Sequence, residues 1–304
     1  MRKGKRFTPS LLNNWKQKGR GEGVGADYTA WHSITRGDPG SLGKSRIQNN
    51  NLFNRSMDYL SDSEFAAFCF MTMLPDVHDV REQYPLFLDE HPCDISKYLA
   101  NKLSISSQGT LKVAEGLGFS HPLVKKGAEK VYWSLTTDLL ITINHQQNGF
   151  KLVAISVKDI SPSLLSERQK ELLAIERQYW ASQGVSWLLI TPEVFCKSVV
   201  ATLKSYAAYA ISDTSVGVEL ITAVTKFLPH IDNMPLSKAL KFIEINLEIS
   251  QSIAQKIFWQ GVWKGLIPIN LRRKVTPFTP IHLISHEDFW QQNPIAVGRT
   301  SCFQ

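Results

Sequence analysis

The chain has 304 residues, with 34 Lys+Arg against 27 Asp+Glu, so its formal charge is +7. That length supplies one large domain or two ordinary ones, and 43% apolar with 20% charged residues excludes wholesale disorder and fibrous architectures. No apolar run approaches the roughly 20 residues of a membrane span, and Cys69, Cys93, Cys196 and Cys302 form no CxxC pair, which predicts free thiols in a reducing cytoplasm.

The excess charge sits at one end. Residues 1–50 hold ten Lys/Arg and three Asp/Glu, whereas residues 51–100 hold three and nine. A basic leader ahead of an acidic stretch suggests a polyanion partner beside a carboxylate-rich site, although a solvated tail gives the same count. The opening MRKGKRFTPS has no apolar core behind it and is not a secretory signal. GRGEGVG then places Gly19, Gly21, Gly23 and Gly25 at every second position. No GK[ST] follows and no apolar strand precedes it, so it does not read as a phosphate cradle. The expectation is an extended, flexible arm lying close to another backbone, such as that of a nucleic acid.

LSDSEFAAFCFMTML predicts the first strong helix, capped by Ser61, with Glu64 three residues on and Pro75 as the stop. VHDVREQYPL (77–86) reads as a strand, and residues 87–130 as short helices and loops. TTDLLITIN (136–144) and FKLVAISVK (150–158) flank HQQNG, a strong turn signal. Residues 161–184 read as a capped amphipathic helix, with Pro162 near its start and Gly184 at its end, and VSWLLIT (185–191) as a buried strand. Strand, helix, strand implies a right-handed crossover between parallel neighbours. From about Phe195 the pattern is helical, until IPINL, the basic turn RRK and TPIHLI suggest a short hairpin. Two helices followed by a basic wing predict a winged-helix module, with the domain boundary near residue 194.

The hairpin can be tested by parity. Burying the apolar odd set (Leu139, Ile141, Ile143, Val153, Ile155, Val157) commits Asp138, Ser156 and Lys158 to one face. A three-residue Gln147-Asn148-Gly149 loop with a left-handed Gly149 then sets Asp138 opposite Lys158 and Leu140 opposite Ser156. An Asp and a Lys at a hairpin end, near a helix-borne Glu64, can cut phosphodiesters. Two carboxylates hold Mg²⁺, and the lysine orients the attacking water or neutralises charge on the phosphorane. Two bland readings compete: Glu64 closing a capping box with Ser61, and Asp138–Lys158 as a solvated cross-strand pair.

GRGEGVGADYTAW, LSDSEFAAF, VREQYPL, TTDLLI, AISVK and IERQYW, in this order, resemble TnsA, the endonuclease subunit of heteromeric bacterial cut-and-paste transposases. The resemblance covers roughly residues 15–194 well and the remainder loosely. It implies a restriction-endonuclease-like catalytic core at 1–194, a mixed sheet flanked by helices, and a mostly helical winged-helix domain at 195–304. It further implies metal-binding Glu64, metal-bridging Asp138, catalytic Lys158 and a metal contact from the Val157 carbonyl. The metal implied is Mg²⁺, with Mn²⁺ as a substitute. The implied partners are DNA at transposon ends, a DDE-type transposase subunit like TnsB, and an AAA+ ATPase regulator like TnsC docked on the C-terminal domain. Ser156 departs from the pattern, since related nucleases carry Glu there and the best-known TnsA pattern carries Gln. A subunit that binds and bridges DNA with weakened or lost nuclease activity is therefore the alternative, and a stand-alone repair or restriction nuclease a third reading.

The remaining candidates are structural or open. His282 and His286, four apart, lack a ligand set for zinc. Tyr179 and Trp180 are expected in the core, and Arg272, Arg273 and Lys274 are either a phosphate contact or a solvated turn.

Overall fold

The computed structural model describes residues 7–35, 38, 44–50, 52–98, 106–145, 149–211 and 216–301. The chain divides into two compact units. The first takes residues up to Glu64 and Asp76–Leu189, and the second takes Phe65–Pro75 and Ile190–Ser301. The division thus falls at 189/190 and not at 194, and the second unit also claims the segment 65–75. That segment begins FAAFCFM, apolar on every side, and such a helix is buried all round wherever it packs.

In chain order the first unit contains α1 (Pro9–Gln17), β1 (Arg46–Asn50), β2 (Arg55–Tyr59) and the start of α2 (Asp62–Thr72). There follow β3 (Val77–Pro85), β4 (His91–Pro92), β5 (Ser106–Ser107), α3 (Thr110–Gly116), β6 (Leu123–Lys126) and β7 (Glu129–Tyr132). The unit closes with β8 (Thr136–His145), β9 (Gly149–Val157), α4 (Glu167–Ser182) and β10 (Ser186–Ile190). Its main sheet has the order β10-β9-β8-β3, while β1-β2, β4-β5 and β6-β7 are separate two-stranded pairs. β8 runs antiparallel to both β3 and β9. Helix α4 carries the chain from β9 to the adjacent β10, as the strand-helix-strand pattern predicts.

Two details of this region correct the sequence reading. Pro162 opens a short 3₁₀ turn, and α4 begins only after Ser166, whose side chain accepts from Gln169 N–H in a capping box. In the β8–β9 hairpin Leu140 faces Ala154 and His145 faces Gly149, two residues away from the predicted pairing. Gly149 is left-handed as expected (φ +71°), but it closes the ladder, and the loop 146–148 lies outside the described residues. A two-residue slide keeps every side chain on its face, so the hydrophobic pattern could not separate the two registers.

Both faces of the hairpin are covered. Leu139, Ile141, Val153 and Ile155 are buried on one side. On the other, Leu140, Leu152 and Ala154 pack with Tyr84, Tyr179 and Trp180. Tyr179 and Trp180 are core residues, as predicted.

The glycine-rich segment is not a free arm. Gly21 N–H donates to Thr29 O, and a Cβ on Gly21 (φ +79°) would lie 2.2 Å from Pro85 Cγ. The backbone that the glycines approach is the protein's own. Nor is Arg20 free for a polyanion. It lies over the Trp15 ring at 4.7 Å, donates to the Trp31 carbonyl and pairs with Asp38 at 3.0 Å. Helix α1, capped by the Thr8 side chain, buries Leu12 and Trp15 beneath this pair.

In the second unit α2 is joined by α5 (Lys197–Ala210), α6 (Val218–Thr225), α7 (Leu228–Ile231), α8 (Leu236–Asn246), α9 (Gln251–Trp263) and α10 (His286–Gln291). Trp263 donates to Thr72 Oγ1 at 3.0 Å and Asn293 to the Phe70 carbonyl at 2.9 Å, which tie the end of α2 to this unit. Where the hairpin was expected, the described residues form no strand but a single bridge, Ile269 opposite Leu283, with Asn270 N–H donating to His282 O. Among the described residues no helix is long and apolar enough to cross a membrane.

His32 lies against the rings of Trp15, Phe7 and Trp133, with centroids 5.1, 5.7 and 5.7 Å away. Burial lowers its pKa to about 4, outweighing the opposite pull of Asp138 and Asp38. Neutral His32 therefore contributes stability in full above the unfolded value of 6.5, and this contribution is lost as pH falls from 6.5 to 4. The melting temperature should drop across that window, and His32→Phe should flatten the drop. Parallel curves for the two proteins would contradict the assignment.

Candidate active site

The predicted residues converge at the end of the β8–β9 hairpin, beside the start of α2. Glu64 occupies the first turn of α2, where its own N–H donates to Ser61 Oγ at 3.1 Å. Its carboxylate turns back to accept from Leu60 N–H at 2.9 Å, one residue short of a full capping box. The cap reading and the site reading of Glu64 therefore both hold, because the cap fixes the carboxylate's position.

Asp138 stands on β8. Its Oδ2 accepts from Val157 N–H at 2.7 Å, and Lys158 Nζ is 3.5 Å from the same oxygen. Lys158 also donates to the Val157 carbonyl at 3.1 Å. The ladder runs as far as Leu139 opposite Ile155, and continuing it sets position 138 across from 156, not 158. Lys158 still reaches Asp138, but diagonally, so the predicted pair exists with a different geometry.

Gln83 is the residue that sequence reasoning missed on this side. It is buried on β3 with φ +48°, a left-handed conformation that costs a non-glycine residue of order 1 kcal/mol or more. That conformation delivers its amide to both acids. Nε2 donates to Glu64 Oε2 at 3.2 Å and to Asp138 Oδ1 at 3.4 Å. A single nitrogen thus spans one oxygen of each carboxylate.

Glu176 is the second missed residue. It projects from α4 and is buried, and its Oε1 accepts from Ser156 Oγ and, at 2.7 Å, from Thr137 Oγ1. Trp180 Nε1 donates to Thr137 Oγ1 at 2.7 Å and steadies this arrangement. In a regular antiparallel pair Thr137 and Ser156 would point to opposite faces. Both reach one oxygen of Glu176, so strict alternation ends where the site begins. The short Ser156 side chain leaves room that a carboxylate from the neighbouring helix fills.

The charges are strongly coupled. Burial and the nearby Asp138 carboxylate push Glu64 up to about 8, against the opposing Leu60 N–H and Lys158. Burial raises Glu176 too, opposed by Lys158. Burial alone would lower Lys158, but Asp138, Glu176 and Glu64 outweigh it and hold the ammonium charged. Three carboxylates face one ammonium, so negative charge is in excess and Glu64 holds a proton at neutral pH.

A hard divalent cation fits this donor set. Glu64, Asp138 and the Val157 carbonyl could supply oxygen ligands of the kind Mg²⁺ prefers. The Lys158 ammonium already bridges the Val157 carbonyl and Asp138 Oδ2, so those oxygens converge on a cation. The other sequence candidates lie elsewhere. His282 faces Arg273 and His286 bonds the Gly265 carbonyl, an arrangement unlike a zinc pair, while Arg272, Arg273 and Lys274 are exposed in the second unit.

Residues 74–192, which include Gln83, Asp138, Ser156, Val157, Lys158 and Glu176, match the family described as TnsA-like endonuclease N terminal. The chain is also 29% identical over 215 residues to the Transposon Tn7 transposition protein TnsA of Escherichia coli, covering 71% of this chain and 67% of that protein. The family match, the ordered motifs and the acid–lysine corner together support reading residues 74–192 as a TnsA-like endonuclease domain.

Proposed function

We propose that the protein is the Mg²⁺-dependent DNA endonuclease subunit of a transposase and cuts the 5′ ends of a mobile element during cut-and-paste transposition. The observation that carries this reading is the corner in which Gln83 spans Glu64 and Asp138 while Lys158 lies 3.5 Å from Asp138. Glu64, Asp138 and the Val157 carbonyl would hold the metal, and Mn²⁺ would serve as a substitute. When bound, such an ion supplies a Lewis acid for the phosphate and a water of lowered pKa. Glu64 would have to be ionised to serve as one of its ligands. Lys158, kept charged by three carboxylates, places an ammonium against the charge that builds on the phosphorane.

Glu176 bears on the alternative of a bridging subunit with lost chemistry. That reading was motivated by the neutral Ser156, and a buried carboxylate bonded to Ser156 Oγ restores an acid to that side of the corner. We place Glu176 as a positioning residue acting through Ser156 and Lys158. The partners consistent with this role are a DDE-type transposase that cuts the 3′ ends and an AAA+ ATPase regulator on a C-terminal winged-helix domain.

Lys158→Ala should lower 5′-strand cleavage in the complete complex by roughly 10²–10³-fold, as loss of one transition-state charge contact does, with 3′ cleavage retained. Equal 5′ cleavage would overturn the assignment.

Glu176→Gln should reduce 5′ cleavage by roughly 10–100-fold, the range for residues that orient an inner shell, without loss of fold. Because Glu176 helps raise Lys158, its neutralisation should also move the alkaline limb of the pH–rate profile to lower pH. A rate loss with an unmoved alkaline limb would make Glu176 a purely structural residue.

A further inference from the structure

Phe278 is 85% exposed, the most exposed large apolar side chain among the described residues. A single exposed apolar residue is ordinary, but this one is held outward by a fastened turn beside three exposed cations. Thr276 N–H donates to Thr279 Oγ1 at 2.8 Å, and Thr279 Oγ1 donates to the Lys274 carbonyl at 3.0 Å. Ser237 N–H donates to the Pro277 carbonyl at 2.9 Å, and Leu236 N–H to the Thr279 carbonyl at 3.2 Å, anchoring the turn to the start of α8. Pro235 pairs with Pro280, and the flanking Val275 and Ile281 are buried. The ring is therefore held outward by a backbone bonded on both sides of it.

The surroundings select the partner. Residues 268–286 contain Arg272, Arg273 and Lys274 and no Asp or Glu, and these three cations are exposed. A protein pocket for a phenylalanine asks for an apolar rim, whereas a ring bracketed by prolines and preceded by cations suits a polyanion with a stack to enter. We propose that Phe278 is a wedge that enters the minor groove of duplex DNA and unstacks one base step, with Arg272, Arg273 and Lys274 engaging the adjacent phosphates. The turn is pre-ordered, so insertion costs little further conformational entropy. The proposal rests on the reading of the chain as a DNA-cutting subunit and adds to it a site of DNA deformation remote in sequence from the catalytic residues.

The test uses the full chain in the complete complex, with a duplex carrying one element end and a dye at each terminus. Energy transfer reports bending, and strand cleavage is followed in parallel. Wild type should bend the duplex. Phe278→Ala should abolish the bend and weaken binding about tenfold, consistent with loss of one inserted side chain, and Phe278→Leu should retain most of the bend. Since Phe278 is exposed, neither variant should disturb the fold. Arg273→Ala should weaken binding and reduce its salt dependence. Lys158→Ala should bend without cutting. Bending by Phe278→Ala equal to wild type overturns the wedge, as does loss of subunit assembly with bending intact, which would make Phe278 a protein anchor. Bending by wild type without any 5′ cleavage would leave the wedge standing and refute the nuclease reading.

Discussion

The structure of the first unit turns on one electrostatic constraint: the buried Glu64 and Glu176 and the half-buried Asp138 share a corner with a single ammonium. Left alone, Glu64 and Asp138 repel each other, and burial denies them the water that would screen the repulsion. The protein meets this in three ways. Leu60 N–H and Val157 N–H each donate to one carboxylate, Gln83 donates to both, and Lys158 supplies the charge. These contacts still leave the carboxylates in excess of positive charge, and Glu64 keeps a proton in response. A site that needs another cation to settle is suited to a metal-assisted hydrolase.

Holding that corner requires β3 to stay in place while Gln83 adopts an unfavourable backbone, and the segments around β3 secure it. Arg55 on β2 grips Glu82 with two bonds of 2.7 and 2.6 Å. Tyr28 donates its hydroxyl to the Glu82 carbonyl, and Gly25 N–H donates to Asp79. Arg81, next to both, is fully buried between the Tyr84 and Tyr98 rings, 4.6 and 5.3 Å from their centroids. The glycine-rich segment, expected as a nucleic-acid arm, therefore acts as a brace for the strand that carries Gln83.

Parity along β8 and β9 brought Asp138 and Lys158 within reach of each other, but it could not show that Thr137 and Ser156 turn to one oxygen of Glu176. The register was not legible, since sliding the pair by two residues changes no face. Gln83 escaped because nothing in VREQYPL marks a glutamine for a positive φ, and that conformation is imposed by its neighbours. Glu176 escaped for another reason: in an amphipathic helix a lone Glu reads as solvated, and only packing of α4 on the hairpin shows that it meets Ser156. The assignment of α2 residues to the second unit was hidden by a segment apolar on all sides. By contrast the capping serine of α2 and the core tryptophan of α4 follow from local rules and were found where those rules place them.

On the proposed reading, Glu64 and Asp138 form a cation site poised by a shared charge deficit. Its most direct test is a calorimetric titration with Mg²⁺ at pH 7, in buffers of different ionisation enthalpy, comparing wild type with Asp138→Asn. Wild type should bind the ion and release a proton to the buffer as Glu64 ionises, and Asp138→Asn should lose the binding. Equal binding by the two proteins, or binding by wild type with no proton released, would contradict the account.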